Sequence, residues 1–196
     1  KGVGKATLAW RAARFLLATP EDDGGMFAAP APDTLDIPAE NPVSRRMLQL
    51  AEPRNFLLRR GPNDKETALS QVISVDEVRK MKSFFALSAA DGGRRTAIID
   101  SLDEMNTAAA NALLKLLEEP PANVTLFLIA HQPAKLLPTI RSRCRELRLT
   151  PLTPQDLADA LTQAGGDTAP EDRTALAELS GGSVGEAFRL TNLDGL

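Results

Sequence analysis

The sequence predicts an α/β fold in which helices flank a parallel sheet, followed by a small all-helical region. Three short apolar runs alternate with segments of helical periodicity, and each run is continuous rather than alternating with polar residues. Continuous apolar runs are typical of parallel strands that are covered on both faces. The last 46 residues contain only helical patterns. We therefore expect one α/β domain and a helical appendage.

The individual elements follow from these patterns. Val124 to Ala130 is apolar nearly throughout and is expected to be a buried strand, after shorter runs at Phe56–Leu58 and Thr96–Asp100. Ser74 and Glu77 form a capping box that starts one helix, and Asn106 or Thr107 caps another that extends to Glu119 before two prolines. The remaining helices are predicted at Lys5–Leu17, Pro154–Gln163 and Pro170–Leu179, with one more after Gly181-Gly182.

Composition places the chain among ordinary globular proteins. Its 196 residues are 43% hydrophobic and 25% charged with a net charge of −3, which excludes a wholly disordered protein. The single cysteine, Cys144, excludes a disulfide framework and a multi-cysteine zinc site, so we expect no metal and a cytoplasmic location. No apolar run approaches the roughly 18 residues of a membrane span, so no membrane partner is predicted.

A change in charge indicates the domain boundary. Residues 131–150 carry a net charge of +4 and residues 151–196 a net charge of −6, with two prolines at the junction. We therefore expect an α/β domain at 1–149 and a helical lid at 150–196. Residues 19–42 contain five prolines and an acidic run, and we expect them to be a mobile surface insertion.

The first residues match the end of a phosphate-binding loop. Gly2 and Gly4 would let backbone N–H groups turn toward phosphate, and Lys5 would reach its oxygens at a helix N-terminus. The hydroxyl position after Lys5, where such a loop holds Mg²⁺, is Ala6, and Thr7 follows it. A glycine-rich turn before an amphipathic helix would give the same fragment, so both interpretations stay open.

A second acidic motif is expected at the end of an apolar strand. Asp100 ends such a strand, but Ser101 occupies the position where an active ATPase has a water-polarising Glu. Asp103 and Glu104 come after the strand has ended. They are better explained as charges near the N-terminus of the next helix.

The order of these motifs resembles the AAA+ clamp-loader subunits of DNA replication, and within them the delta-prime class of the bacterial DNA polymerase III loader. Thr107–Leu147 carries the resemblance, because it contains the NALLKLLEEPP helix, an apolar strand and the Ser142-Arg143-Cys144 (SRC) motif. Lys1–Leu8 and Leu179–Phe188 support it. The resemblance implies the AAA+ fold, with a P-loop domain and a helical lid.

The resemblance also implies roles for single residues. Arg143 matches the arginine finger that reaches the nucleotide site of a neighbouring subunit, although pairing with a local acid such as Glu146 is the structural alternative. Gly2, Gly4, Lys5 and Thr7 fall on the P-loop and Asp100 on the second acidic motif, which together form a degenerate nucleotide site. Ala6, Ser101 and Gly185 replace groups that an active subunit uses. We therefore expect no intrinsic ATPase activity, no zinc and no required cofactor, with ATP or ADP at the degenerate site left open.

The implied function is that of a stator in the clamp loader. The implied partners are motor subunits of the gamma/tau type, the delta subunit and, through the assembled complex, the sliding clamp and primed DNA. We expect the chain to lack part of its P-loop and the helical collar of its relatives. An active motor ATPase of the same family and a P-loop small-molecule kinase are the alternatives, and nucleotide titration with an ATPase assay separates them.

Overall fold

A parallel sheet organises the unit formed by Ala6–Arg145. The computed structural model describes residues 2–19, 32–62, 67–86, 93–166 and 169–192. Within these ranges the sheet contains β1 (Asn55–Leu58), β2 (Arg95–Asp100) and β3 (Val124–Ile129), in the order β1-β2-β3. Both pairings are parallel, with Leu57 opposite Ile98 and Ile98 opposite Phe127. This sheet confirms the predicted α/β class.

Helices cover both faces of the sheet. Along β2, the side chains of Ala97 and Ile99 join one apolar cluster, and Ile98 between them joins a second, because successive side chains of a strand point to opposite faces. The first cluster includes Val78 and Leu113 from two of the flanking helices. In the described residues before 146, the α-helices are α1 (Lys5–Ala18), α2 (Pro42–Leu48), α3 (Val75–Ala86), α4 (Thr107–Glu118) and α5 (Pro138–Arg141).

The most buried strand is β2, whereas the sequence analysis predicted a buried strand at 124–130. Every residue of β2 except Asp100 is buried, but in β3 only Ile129 is buried and Thr125 is exposed. The reason is position in the sheet. Within the described residues β2 has a strand on each side and β3 lies at an edge. Apolar composition alone does not distinguish a central strand from an edge strand.

Helix α4, which contains most of the NALLKLLEEPP motif, begins where it was predicted to begin. It ends at Glu118, one residue before the predicted end at Glu119. Asn106, rather than Thr107, is its N-cap, since the Asn106 side chain accepts a hydrogen bond of 2.8 Å from the backbone N–H of Ala109. Glu119 is the C-cap, with a φ of −130° and a ψ of 72°. The helix therefore ends at Glu118, just before Pro120.

The predicted insertion at 19–42 is only partly described. Residues 20–31 lie outside the described residues, and 32–41 form neither helix nor strand. Pro42 begins α2, which the sequence analysis did not predict, and the Asn41 side chain caps that helix at the N–H of Val43. Asp36 forms an ion pair with Arg11 of α1. The end of this segment is thus tied to neighbouring structure by a capping residue and an ion pair.

The other compact unit consists of Lys1–Lys5 and Glu146–Leu196. Its apolar cluster is formed by Leu157, Leu161, Leu176, Ala177 and Ala187. The Thr153 side chain accepts a hydrogen bond from the N–H of Asp156 and caps the first of its helices. These helices agree with the predicted helical patterns and are α6 (Pro154–Gln163), α7 (Arg173–Ser180) and α8 (Val184–Asn192).

Candidate functional site

The phosphate-loop turn, which we define as residues 2–5, has the backbone shape that its glycines predict. Gly2 has a φ of +79° and Gly4 a φ of +85°, and α1 begins at Lys5. A side chain at such a φ costs roughly 1–2 kcal/mol, so glycine is favoured at both positions. Free N–H groups at the start of a helix attract anions. The turn therefore keeps the backbone part of a phosphate site, and nucleotide binding there stays a prediction.

Gly2 is also in close contact with the start of α8. A Cβ atom on Gly2 would lie 1.9 Å from the Ser183 Oγ, a distance at which something must move. The backbone N–H of Val184 donates a hydrogen bond of 3.1 Å to the carbonyl oxygen of Gly2. Gly185 follows in α8, and its Cβ position would be 3.8 Å from the Gly2 Cα. The turn is therefore packed directly against the start of α8. This segment includes Gly185, which stands where the resemblance implies an arginine in an active subunit.

The cavity beside this turn presents a carboxylate. It has a volume of about 370 Å³ and is lined by Gly2, Ser180, Ser183, Gly185 and Glu186. A hydrogen bond from Arg189 lowers the pKa of the Glu186 carboxyl, so this group is charged at neutral pH. Arg189 donates hydrogen bonds to both carboxylate oxygens of Glu186, so the pair adds little net charge to the lining. Nucleotide binding beside this turn therefore stays a prediction.

The acidic residues that follow β2 have structural partners. Asp103 Oδ1 accepts a hydrogen bond of 2.7 Å from the backbone N–H of His131, and Glu104 forms an ion pair of 3.1 Å with Arg60. Both lie in a short 3-10 helix rather than at the end of the strand. Ser101 is 2% exposed. These contacts agree with the interpretation of Asp103 and Glu104 as structural charges.

The SRC turn, which we define as residues 139–144, is anchored in the apolar core. Ile140 is 2% exposed and belongs to the cluster around α3 and α4, and Cys144, four residues later, packs against the same cluster. Burial raises the pKa of the Cys144 thiol, so this residue acts as a neutral packing group. Arg143 lies between these two anchors. Its backbone is therefore fixed by the burial of its neighbours.

The Arg143 guanidinium is held by two elements at once. Nη1 donates a hydrogen bond of 2.9 Å to the carbonyl oxygen of Thr139, and Nη2 lies 2.9 Å from Glu118 Oε1 at the end of α4. The Arg143 side chain is 36% exposed. Glu146, the acid named in the structural alternative, pairs with Arg148 at 2.9 Å instead. A local acid thus does pair with Arg143, but it is Glu118, which is distant in sequence.

Comparison with known families decides the relationship of this chain. A family model described as "DNA polymerase III, delta subunit" matches residues 37–153, which is more than half of the chain and includes β1 to β3 and the SRC turn. The chain belongs to this DNA polymerase III subunit family. The region of the match also contains Thr107–Leu147, on which the sequence resemblance rested.

Curated relatives of this DNA polymerase III family support the same assignment. The DNA polymerase III subunit delta' of Pseudomonas aeruginosa is 44% identical over 119 residues, covering 60% of this chain and 36% of the relative. The subunit delta' of Bacillus subtilis is 35% identical over 118 residues, covering 60% and 35%. The chain thus spans about a third of the length of the curated relatives it matches. A crystal structure of a DNA polymerase III, gamma subunit-related protein from Thermotoga maritima is 26% identical, with a TM-score of 0.44 over 78% of this chain and 50% of that protein.

The residues of the phosphate-loop turn fit a nucleotide only in part. The backbone of the phosphate-loop turn fits a phosphate, but Ala6 offers no hydroxyl to a metal ion. We therefore derive no hydrolytic step at this turn. Among the described ranges, no group of three or more His, Cys, Asp or Glu side chains could hold a metal ion. In the same part of the chain, every helix is too short or too polar to cross a bilayer.

The predicted site residues of this delta-family chain fall in both compact units. Gly2, Gly4 and Lys5 belong to the unit with the C-terminal helices, whereas Thr7, Asp100 and Arg143 belong to the unit around the sheet. Sequence reasoning missed Glu118 and Thr139 as the partners of Arg143. The sequence contains one signal for Glu118, because an acid at the C-terminal end of a helix is electrostatically unfavourable without a cation nearby.

Proposed function

We propose that this chain is the AAA+ portion of a delta-prime-type clamp-loader subunit and supplies Arg143 to the nucleotide site of a neighbouring motor subunit. The observation that carries the proposal is the SRC turn. It presents a guanidinium at the surface between two residues, Ile140 and Cys144, that pack into the core. Family membership makes a clamp loader the setting in which such an arginine has a use.

The chemistry of arginine suits this role. Its guanidinium is planar, stays charged at any physiological pH and can donate two parallel hydrogen bonds to phosphate oxygens. A finger supplied in trans accelerates phosphoryl transfer by roughly 10³ to 10⁵ at one site. In a loader with several nucleotide sites, the other sites would dilute the loss of one finger. The reaction served by Arg143 is thus one that this chain does not itself perform.

The chain is proposed to act as a stator without ATP hydrolysis of its own. Ala6, Ser101 and Gly185 replace a metal-binding hydroxyl, a water-polarising carboxylate and a phosphate-binding cation. Losing one preorganised group commonly costs about 10² to 10³ in rate, so three losses argue strongly against turnover. ATP or ADP could bind at residues 2–7 through the backbone alone, with no catalytic consequence.

The proposed partners follow from the family. They are motor subunits of the gamma/tau type and the delta subunit, with the sliding clamp and primed DNA engaged through the assembled complex. The net charge of −3 supplies no general attraction for DNA, so contact with the phosphate backbone would come from local basic patches. The proposed compartment is the cytoplasm, where a single free cysteine is stable.

The test is a loader reconstituted with the full-length subunit, sliding clamp and primed DNA. Arg143→Ala should lower DNA-stimulated ATP hydrolysis and clamp loading while leaving the melting temperature of the subunit and its incorporation into the complex nearly unchanged. Arg143→Lys keeps the charge but loses the planar fork, so it should restore only part of the rate. Wild-type loading by the Arg143→Ala complex would exclude the finger.

A further inference from the structure

The carboxylate of Glu118 lies where a helix does not favour it. Glu118 is the last residue of α4 and Glu119 is its C-cap, so two acids stand at the negative end of the helix dipole. An acid in this position is electrostatically unfavourable. Residues that break a local rule are often found at functional sites, where another contact compensates. For Glu118 the compensating contact is the Arg143 guanidinium at 2.9 Å.

Two contacts on different nitrogens orient the guanidinium. Nη2 is fixed by Glu118 of α4, and Nη1 is fixed by the Thr139 carbonyl of α5. Since the group is planar and is joined to the chain through Nε, contacts on both terminal nitrogens together with this attachment restrict where its remaining donors point. Ordering a free arginine side chain costs conformational entropy because the side chain has many rotamers. A guanidinium that is already held has met most of this cost before it contacts a phosphate.

The contacts leave donors for a partner. Nη1 of Arg143 donates to Thr139 and Ser142, and Nη2 forms the ion pair with Glu118. Within the described residues, no acceptor bonds to its Nε. The pair is half-exposed, at 36% for Arg143 and 46% for Glu118, so solvent screens it and it contributes little to stability. The pair therefore orients the arginine without holding it too tightly to act.

We infer that Glu118 is a positioning residue for Arg143, holding the guanidinium in the orientation in which it meets the phosphates of a neighbouring subunit's nucleotide. The inference rests on the proposed function of Arg143 as a finger in trans. It assigns to the end of the NALLKLLEEPP helix a role in catalysis on a subunit other than its own. Glu118 acts only through Arg143 and touches no substrate.

The test measures steady-state ATP hydrolysis by the reconstituted loader with clamp and primed DNA. Glu118→Ala should lower kcat about two- to threefold, less than Arg143→Ala, with little change in the KM for ATP, because a misoriented finger weakens the transition state rather than substrate binding. Glu118→Gln should recover most of the rate, since an amide oxygen can still accept the hydrogen bond. Glu119→Ala removes the same charge one residue later and should match the wild type.

A double-mutant cycle with Arg143→Ala separates this inference from the proposed function. In the Arg143→Ala background, Glu118→Ala should have no further effect on kcat. The melting temperatures of the single-variant and double-variant subunits should stay nearly unchanged. A wild-type or higher rate for Glu118→Ala, or an undiminished effect in the Arg143→Ala background, overturns the positioning role. A loader that is insensitive to Arg143→Ala overturns the finger itself and the inference with it.

Discussion

The phosphate-loop turn and the SRC turn are both candidate contacts for phosphate, but they are built in opposite ways. The first depends on backbone geometry, with positive φ angles at Gly2 and Gly4. The second depends on side chains, with Ile140 and Cys144 packed in the core and the Arg143 guanidinium held by Glu118. The glycine turn keeps its backbone shape although Ala6 provides no hydroxyl. The comparison teaches that a loop's backbone shape and its chemical groups are separate properties, so the shape alone does not predict hydrolysis.

The largest expected effect tests the anchoring of the SRC turn. Ile140→Ala removes a side chain that is 2% exposed and should lower the free energy of unfolding by about 2–5 kcal/mol. Arg143→Ala, three residues later, should cost no more than about 1 kcal/mol, because it removes a half-exposed ion pair. Urea denaturation of the full-length subunit measures both. If Ile140→Ala lowers the free energy of unfolding by no more than Arg143→Ala does, Ile140 does not anchor the turn.

The next effect tests whether the phosphate-loop turn is held by contact or by backbone conformation alone. Gly4→Ala places a methyl group in open space at a φ of +85° and should cost about 1 kcal/mol. Gly2→Ala has the same backbone strain, and its methyl group also collides with the Ser183 Oγ, adding about 1–3 kcal/mol.

Ser183→Ala provides the matched background for this comparison. It removes the colliding oxygen, so the cost of Gly2→Ala measured in that background should fall toward the cost of Gly4→Ala. Thermal or urea unfolding of the four variants gives the values. If Gly2→Ala and Gly4→Ala cost the same, the contact between Gly2 and Ser183 does not constrain the turn.

A smaller effect compares the two turns in function. Lys5→Ala should change DNA-stimulated ATP hydrolysis by the reconstituted loader less than about twofold, whereas Arg143→Ala should lower it severalfold, because we propose that only the second turn contributes to phosphoryl transfer. The subunit alone should show no hydrolysis above background. Magnesium-dependent turnover by the isolated subunit that disappears with Lys5→Ala would reverse the comparison and indicate an active motor subunit.

The smallest effect concerns the Cys144 thiol. Burial raises its pKa, so the fold favours the neutral thiol. The stability that this group contributes is fully present below its ordinary pKa and is lost as pH rises through the raised value. Alkylation by iodoacetamide across pH 7 to 10 should therefore be slower, with its midpoint at a higher pH, in the folded subunit than in urea. A folded-state midpoint at or below the unfolded one would show that Cys144 does not pack as a neutral group.

Much of the fold was predictable because local signals and tertiary structure agree. The Asn106 cap, the α6 helix and the strand ending at Asp100 all follow from patterns within a few residues of each other. The exposure of β3 was not predictable in this way, because it depends on the order of strands in the sheet. α2 was missed because its Pro42 was counted with a proline-rich segment, although proline at the first position of a helix is favourable.

In the candidate site, too, the residues within short motifs were predictable and the long-range contacts were not. Gly2, Gly4 and Arg143 were found from motifs, since each motif fixes residue types at short spacing. The contacts of Arg143 with Glu118 and of Asp103 with the His131 backbone join residues 25 and 28 positions apart along the chain. No periodicity or spacing rule links such residues. Only the packing of α4 against α5 and of β2 beside β3 brings them together.

The bond between Asp103 and His131 has a consequence for how this site could change over time. The carboxylate is committed to a backbone N–H at 2.7 Å, and the neighbouring Ser101 side chain is enclosed by protein, so neither position is free to become a water-polarising acid. Ser101→Glu would need space for three more heavy atoms and would bury a charge. Under the proposed function, Ser101→Glu alone is therefore not expected to produce ATP hydrolysis by this subunit.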